Sequence, residues 1–413
     1  MKWSSNYNRS AIVMITFIVA VSLLTKCINK TGPEKNIVRN EAGQEFAGSS
    51  TCISCHKEIY EDNINTAHYH TSQIASKKNI RGSFSKEKNA VLYGEGVRVM
   101  MEKADSSFYQ AEYNHDEEKI RRRFDVVVGS GKKAQTYLYW TGNRLLQLPV
   151  FYFTDRDRWA NSPGYPGRVI FNRPITSRCL ECHTTYARKT SAADIQPEQF
   201  SGREIIYGVD CERCHGPAAK HVEYEQQHPD DKSGNFIIKP RLFSRQQKLD
   251  MCAMCHAGSL NQIKPSFSFQ AGDKLNDYFT YNTIATSAEN LDVHGNQYGM
   301  LSLSKCFLSP ELTCNSCHSS HKNETGQISL FSQRCMSCHR REHGSFCTQK
   351  NLPDSVLTQN CIDCHMPVRK SNTIVFLEAN TGNQVAATMR SHLIRVYPDE
   401  AKEKLEKFIR NKK

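Results

Sequence analysis

Cys211-Glu212-Arg213-Cys214-His215 decides how this chain must be built, because its spacing, Cys-x-x-Cys-His, occurs seven times. The other copies are Cys52-Cys55-His56, Cys179-Cys182-His183, Cys252-Cys255-His256, Cys314-Cys317-His318, Cys335-Cys338-His339 and Cys361-Cys364-His365. Two thiols at this spacing can form thioethers to the vinyl groups of a haem, and the adjacent imidazole is delivered to the iron as its proximal ligand. Zinc sites and thioredoxin-like pairs also use Cys-x-x-Cys, but neither dictates the residue after the second cysteine. Histidine stands there in every copy, so the pattern predicts seven covalently attached haem c groups.

The motifs consume fourteen of the seventeen cysteines and leave Cys27, Cys306 and Cys347. Haem attachment takes place outside the cytoplasm, and the N-terminus carries a matching signal: Lys2 and Arg9, then an apolar run from Ala11 to Leu24. That run suits a signal peptide better than a bilayer span. Leu23-Leu24-Thr25-Lys26-Cys27 is a loose lipoprotein box in which Cys27 would carry the lipid, although Lys26 replaces the usual small residue. Residues 1–28 are therefore read as a signal peptide or lipoprotein anchor, with ordinary cleavage and an uncleaved anchor as the alternatives. The body is expected on the periplasmic side of a membrane or cell envelope. Cys306 and Cys347 are either a disulfide or two free thiols; a bridge closing a loop of about forty residues would contribute on the order of 3–4 kcal/mol.

The formal charge of +12 would ordinarily suggest an anionic partner. Haem propionates and ferric porphyrin cores bring the sum to about +5 oxidised and about −2 reduced, so the excess of Lys and Arg reads mainly as propionate compensation. Arg121-Arg122-Arg123 has no aromatic interleaving, and no nucleic-acid partner is expected.

Residues 29–47 are polar and read as a tether, followed by the first motif segment at 48–80. Residues 81–173 lack a motif but hold strand-like runs at Phe124–Val128, Tyr137–Trp140 and Leu145–Phe153, with Thr141-Gly142-Asn143 as a turn. Gly129-Ser130-Gly131-Lys132-Lys133 lacks full phosphate-loop spacing and reads as a glycine turn. Residues 174–397 carry six motifs at about thirty residues apiece, too few to enclose each porphyrin in its own apolar core, so the haems must lie against one another. Residues 398–413 read as a charged helix with Asp399 and Glu400 at its start and Leu405, Phe408 and Ile409 on one face. The expected fold is that of a multihaem cytochrome c, mainly short α-helices and loops wrapped around stacked haems, with a small β-rich insert.

Nine histidines remain outside the motifs. His321 follows His318 too closely to cap the same haem, but it can cap a neighbour, and His221 and His343 repeat that logic after His215 and His339. His68 is preferred to His70 as a ligand, and His294 and His392 complete the set of distal candidates. His115 and His228 read as solvated loop residues. Six caps for seven irons permit one open haem, which Met, Lys or water could close.

Gly208-Val209-Asp210-Cys211-Glu212-Arg213-Cys214-His215-Gly216-Pro217 resembles the signature of the tetrahaem cytochrome c that accepts electrons from hydroxylamine oxidoreductase, and of the superfamily around both. Cys52-Ile53-Ser54-Cys55-His56-Lys57-Glu58-Ile59-Tyr60 with Thr66-Ala67-His68 is similar to that family's first motif, and Leu312 to His321 resembles a motif of larger relatives. The resemblance implies that His183 serves the haem open to substrate. The β-rich insert and three extra motifs depart from the small relative, and no Cys-x-x-Cys-Lys motif is present. The expected function is single-electron transfer between redox proteins, a membrane donor and an acceptor; the alternative is an oxidoreductase acting on a nitrogen or sulfur compound at one five-coordinate haem.

Overall fold

The computed structural model describes residues 14, 36–281, 291–377 and 383–410, without the side chains of 404 and 407–409. Cys27, the rest of the apolar run and the side chains of Phe408 and Ile409 lie outside these residues. The chain divides into Met1–Ile37 and Val38–Lys413, and the second unit holds all the motifs. No helix among the described residues is long and apolar enough to cross a membrane.

The haem-free insert is β-rich, as its alternating apolar residues require. Strands β1 (Ser72–Ile74), β6 (Val126–Val128), β7 (Ala134–Thr141), β8 (Arg144–Gln147) and β11 (Arg173–Pro174) pair antiparallel in the order β1-β6-β7-β8-β11, while β9 (Val150–Phe153) joins β7 and β10 (Arg158–Asn161) joins β9. The two-residue turn at Gly142-Asn143 connects β7 to β8, and Gly129 and Gly131 take the positive φ that the bend before β7 needs. A second sheet, the meander β2 (Ala90–Leu92), β3 (Val97–Ala104), β4 (Ser107–Asn114) and β5 (Glu117–Arg123), lies between β1 and β6 in the chain. Between the sheets Val99, Met101, Phe108, Phe124, Tyr137, Tyr152 and Trp159 form one apolar core. Phe124 stacks on Tyr137 at 4.4 Å, and Gly82 lies so close to Trp159 that an added Cβ would fall 2.3 Å from the indole.

The β structure is larger than a small insert, which corrects the expectation. Beyond residue 174 lie three further two-stranded sheets: β12 (Thr184–Lys189) with β13 (Phe200–Tyr207), β14 (Leu260–Gln262) with β15 (Phe279–Tyr281), and β16 (Val368–Leu377) with β17 (Gln384–Arg390). Runs such as Thr184-Thr185-Tyr186 have β-favouring side chains but are too short to stand out among motifs. Arg121-Arg122-Arg123 is part of β5: Arg121 pairs with Glu102 and Glu118, Arg123 pairs with Asp125, and Arg122 lies over the Tyr139 ring.

The later half of the expected tether is packed rather than free. Val38 is buried, Arg39 pairs with Glu45 across a turn, and the Phe46 ring sits 5.2 Å from that of Tyr186. The C-terminal helix is present at Pro398–Arg410 with Asp399 and Glu400 in its first turn, where the helix dipole favours them.

Candidate cofactor sites

Four short helices, Ser177–His183, Cys211–His215, Arg245–His256 and Ile362–His365, end on the histidine of a motif. Each presents its imidazole where the chain turns away. Ser244 and Gln247 form a reciprocal capping box at the start of the third, and the Asp210 side chain accepts a hydrogen bond from Cys211 N at the start of the second.

Residues 68–72 are stitched to two motifs at once. The His68 carbonyl accepts from Val209 N, Gly208 N donates to Ser72 Oγ, and the hydroxyls of Ser72 and Thr71 donate to the His183 carbonyl at 2.6 and 3.0 Å. Gly208 must be glycine: its φ is +75° and an added Cβ would lie 2.2 Å from the Tyr69 carbonyl oxygen.

Three motif histidines face a histidine from elsewhere in the chain. His256 faces His68 with ring centres 6.1 Å apart, His215 faces His321 at 6.2 Å and His318 faces His392 at 6.2 Å. An iron bound at about 2 Å from one nitrogen of each ring leaves the ring centres roughly 6 Å apart. A porphyrin brings four nitrogens of its own, so two opposed imidazoles are what the protein must supply. The residues present therefore fit a haem iron.

The outer nitrogens are held too. Nδ1 donates to a backbone carbonyl from His215 (Ile238, 2.9 Å), His339 (Ser345, 3.0 Å), His365 (Arg395, 3.0 Å) and His392 (Arg390, 3.3 Å), and from His256 to Gln297 Oε1 (3.2 Å). A proton fixed on Nδ1 leaves the Nε2 lone pair for a metal. Burial pulls His68 and His392 down to about 4 and lowers His183, His256, His318 and His321 as well, so these rings are neutral at physiological pH. His70, by contrast, bonds Gln73 Nε2 at 2.6 Å, as a supporting residue would.

Thiols of different motifs meet in pairs: Cys52 with Cys211, Cys182 with Cys255, Cys252 with Cys314 and Cys335 with Cys361. Cys214 lies within electrostatic reach of Cys252, and Cys317 of Cys338. The motifs thus form one succession in the order first, third, fourth, fifth, sixth, seventh, and the second sits beside the fourth. Cys55, Cys179 and Cys364 complete their motifs.

Arginines hold this succession by binding backbone carbonyls. Arg213 donates to Glu181 O, Arg178 to Met254 O, Arg245 to Leu312 O and Phe307 O, Arg334 to Cys317 O, and Arg390 to Ile362 O and Met366 O. A share of the basic excess is therefore structural rather than reserved for propionates. Acids inside the motifs act as anchors that the pattern alone does not mark. Glu212 is buried and accepts from the backbone N–H groups of Ala47, Gly48 and Ala218 at 2.8, 2.9 and 2.8 Å. Glu181 is fully buried, pairs with Arg178 and accepts from Phe267 N, and Asp363 accepts from Arg390.

The remaining candidates are not all brought together. Among the described residues no second imidazole faces His56, His183, His339 or His365 at such a separation; His221 donates from Nδ1 to Asn235 O, and His343 is exposed at the end of a single turn, Arg341–His343. Cys306 and Cys347 are not joined: Cys347 is exposed and unpaired, and Cys306 lies near Cys317 and Cys338, its thiol pushed up by burial.

Residues 171–216, which span the second and third motifs, match the family described as cytochrome c554 and c-prime. The chain also shares its fold with the outer cell wall cytochrome OcwA, at a TM-score of 0.54 and 17% identity over 87% of this chain and 81% of that one. No curated protein matches the sequence. The fold is that of a multihaem cytochrome, and neither match extends to hydroxylamine oxidoreductase.

Proposed function

We propose that this chain is an exported heptahaem c-type cytochrome that passes single electrons along covalently bound haem c groups, most of them held by histidine on both faces. Haem c, when bound, supplies an iron that cycles between ferric and ferrous states. The observation that carries the reading is the repeated facing of a motif histidine by a second histidine at 6.1 or 6.2 Å. Two imidazole ligands leave no position for substrate, which suits electron transfer. The pairwise meeting of thiols supports close spacing of successive groups along the chain of motifs.

The partners are redox proteins, a membrane donor on one side and an acceptor in the periplasm or beyond. Likeness to an outer cell wall cytochrome supports a place in the cell envelope, and Cys27 is the residue that would carry a lipid anchor. Haemochrome absorbance with intact mass of the mature chain tests the reading: seven haems, predominantly low-spin, are expected. A colourless or zinc-loaded protein overturns it.

The second reading, an open iron acting on a nitrogen or sulfur compound, is favoured most around the sixth and seventh motifs, where His343 stands exposed and faces neither His339 nor His365. Carbon monoxide binding by the reduced protein at these motifs supports it, and none there removes it.

A further inference from the structure

We propose that His294 is the second axial ligand of the haem held by Cys179, Cys182 and His183, and that Asp292 is the residue that positions it. The inference rests on the covalent-haem reading above and reverses what the family resemblance implies for the second motif, namely an open iron. His183 is the most enclosed of the unmatched motif histidines. Its Nδ1 is buried without a hydrogen-bond partner, and its carbonyl is clamped by Ser72 and Thr71. The ring therefore stands at a fixed, deeply enclosed place beside the Thr71 backbone.

Elimination supplies the partner. His68, His321 and His392 already face His256, His215 and His318. His294 lies within electrostatic reach of both His183 and His256, and of these two only His183 lacks a facing imidazole.

The chain grips His294 by its backbone on both sides and so leaves the ring to ligate. Asp292 Oδ1 accepts from His294 N at 2.6 Å and from Ser371 Oγ at 2.9 Å; Oδ2 accepts from Thr373 N at 2.8 Å and from Asn372 N. One carboxylate thus ties the ligand segment to strand β16. On the other side Gly258 N donates to Gly295 O at 2.8 Å, which fastens the same segment just beyond His256. Val293 is buried against Met300 and Leu393 between these anchors. A four-bond carboxylate beside a histidine is more fastening than a surface loop needs, and it suits a ligand that must be held in place.

The test uses the intact holoprotein and three variants, His294→Ala, His294→Met and Asp292→Asn, read by haem content, ferric spin state and carbon monoxide uptake. His294→Ala is expected to keep its full haem content, to gain one high-spin haem and to bind one additional carbon monoxide per chain, with added imidazole restoring the low-spin signal. Asp292→Asn is expected to give a partial high-spin signal at the same haem content. An alanine variant with all haems in place and unchanged spin state and carbon monoxide uptake overturns the assignment. Should that variant prove unstable, His294→Met decides: one new His–Met signature supports the assignment, and an unaltered spectrum overturns it. Wild-type protein without haem would sink the proposed function itself, a separate outcome.

Discussion

His215 and His321 come from different motif segments, yet their rings lie 6.2 Å apart and within 15° of parallel. His321 follows the fifth motif and His215 closes the third, so the segment after one motif serves another. The same exchange pairs His68 with the fourth motif and His392 with the fifth. Ligation on the second face, as proposed, would thereby also be a long-range cross-link of the fold.

Replacing any one of His68, His321 or His392 by alanine is expected to turn one haem high-spin while leaving the haem count unchanged. The corresponding His70→Ala change should leave every spin state as it was, because His70 is held by Gln73. Electron paramagnetic resonance of the oxidised proteins checks both halves.

Glu212→Ala removes the acceptor for three backbone N–H groups, two of them at residues 47 and 48 and one at 218. Enclosed donors left without partners cost about 1–3 kcal/mol each, and since those at 47 and 48 are only partly buried a loss of roughly 3 kcal/mol is expected. Glu212→Gln, which keeps one oxygen, should lose less. Denaturant midpoints measure the difference.

Gly82→Ala forces a methyl group against the Trp159 indole, at a φ of +105° that disfavours alanine. Overpacking of this kind costs about 1–3 kcal/mol. The tryptophan near-ultraviolet signal is expected to change while the haem spectrum does not, since the clash lies in the haem-free insert.

Glu324 is held down to about 2, chiefly by hydrogen bonds from Arg334, which also reaches the Cys317 carbonyl. A folded value below the unfolded one means the stabilisation is complete above about pH 4.3, fades as the pH falls and is gone near 2. Glu324→Gln should flatten that part of the acid-stability profile, measured as the melting temperature between pH 5 and 2 in steps of roughly half a unit.

The motifs, the turn at Gly142-Asn143 and the glycine bend before β7 were legible in the residues, because each depends on neighbours in sequence. The meander was not. Its strands carry Glu112, Glu117, Glu118 and Arg121 to Arg123, and the cross-strand pairing of Arg121 with Glu102 that makes such charges tolerable appears only when β3, β4 and β5 lie side by side. Glu181, Glu212 and Asp363 sit at variable positions of their motifs, where spacing says nothing about burial. Which distal histidine serves which motif is likewise a matter of distant segments meeting, and six candidates offered no local signal to sort them.

The approach of Gly208 to Tyr69 has a consequence in time. Everything that separates them, including both sheets of the insert, must be synthesised before the two backbones can touch, and contacts between such distant residues form slowly. The first pair of motif thiols, Cys52 and Cys55, therefore emerges well before its surroundings are complete. Topology thus leaves the first motif without its long-range neighbours until at least residue 208 has been made.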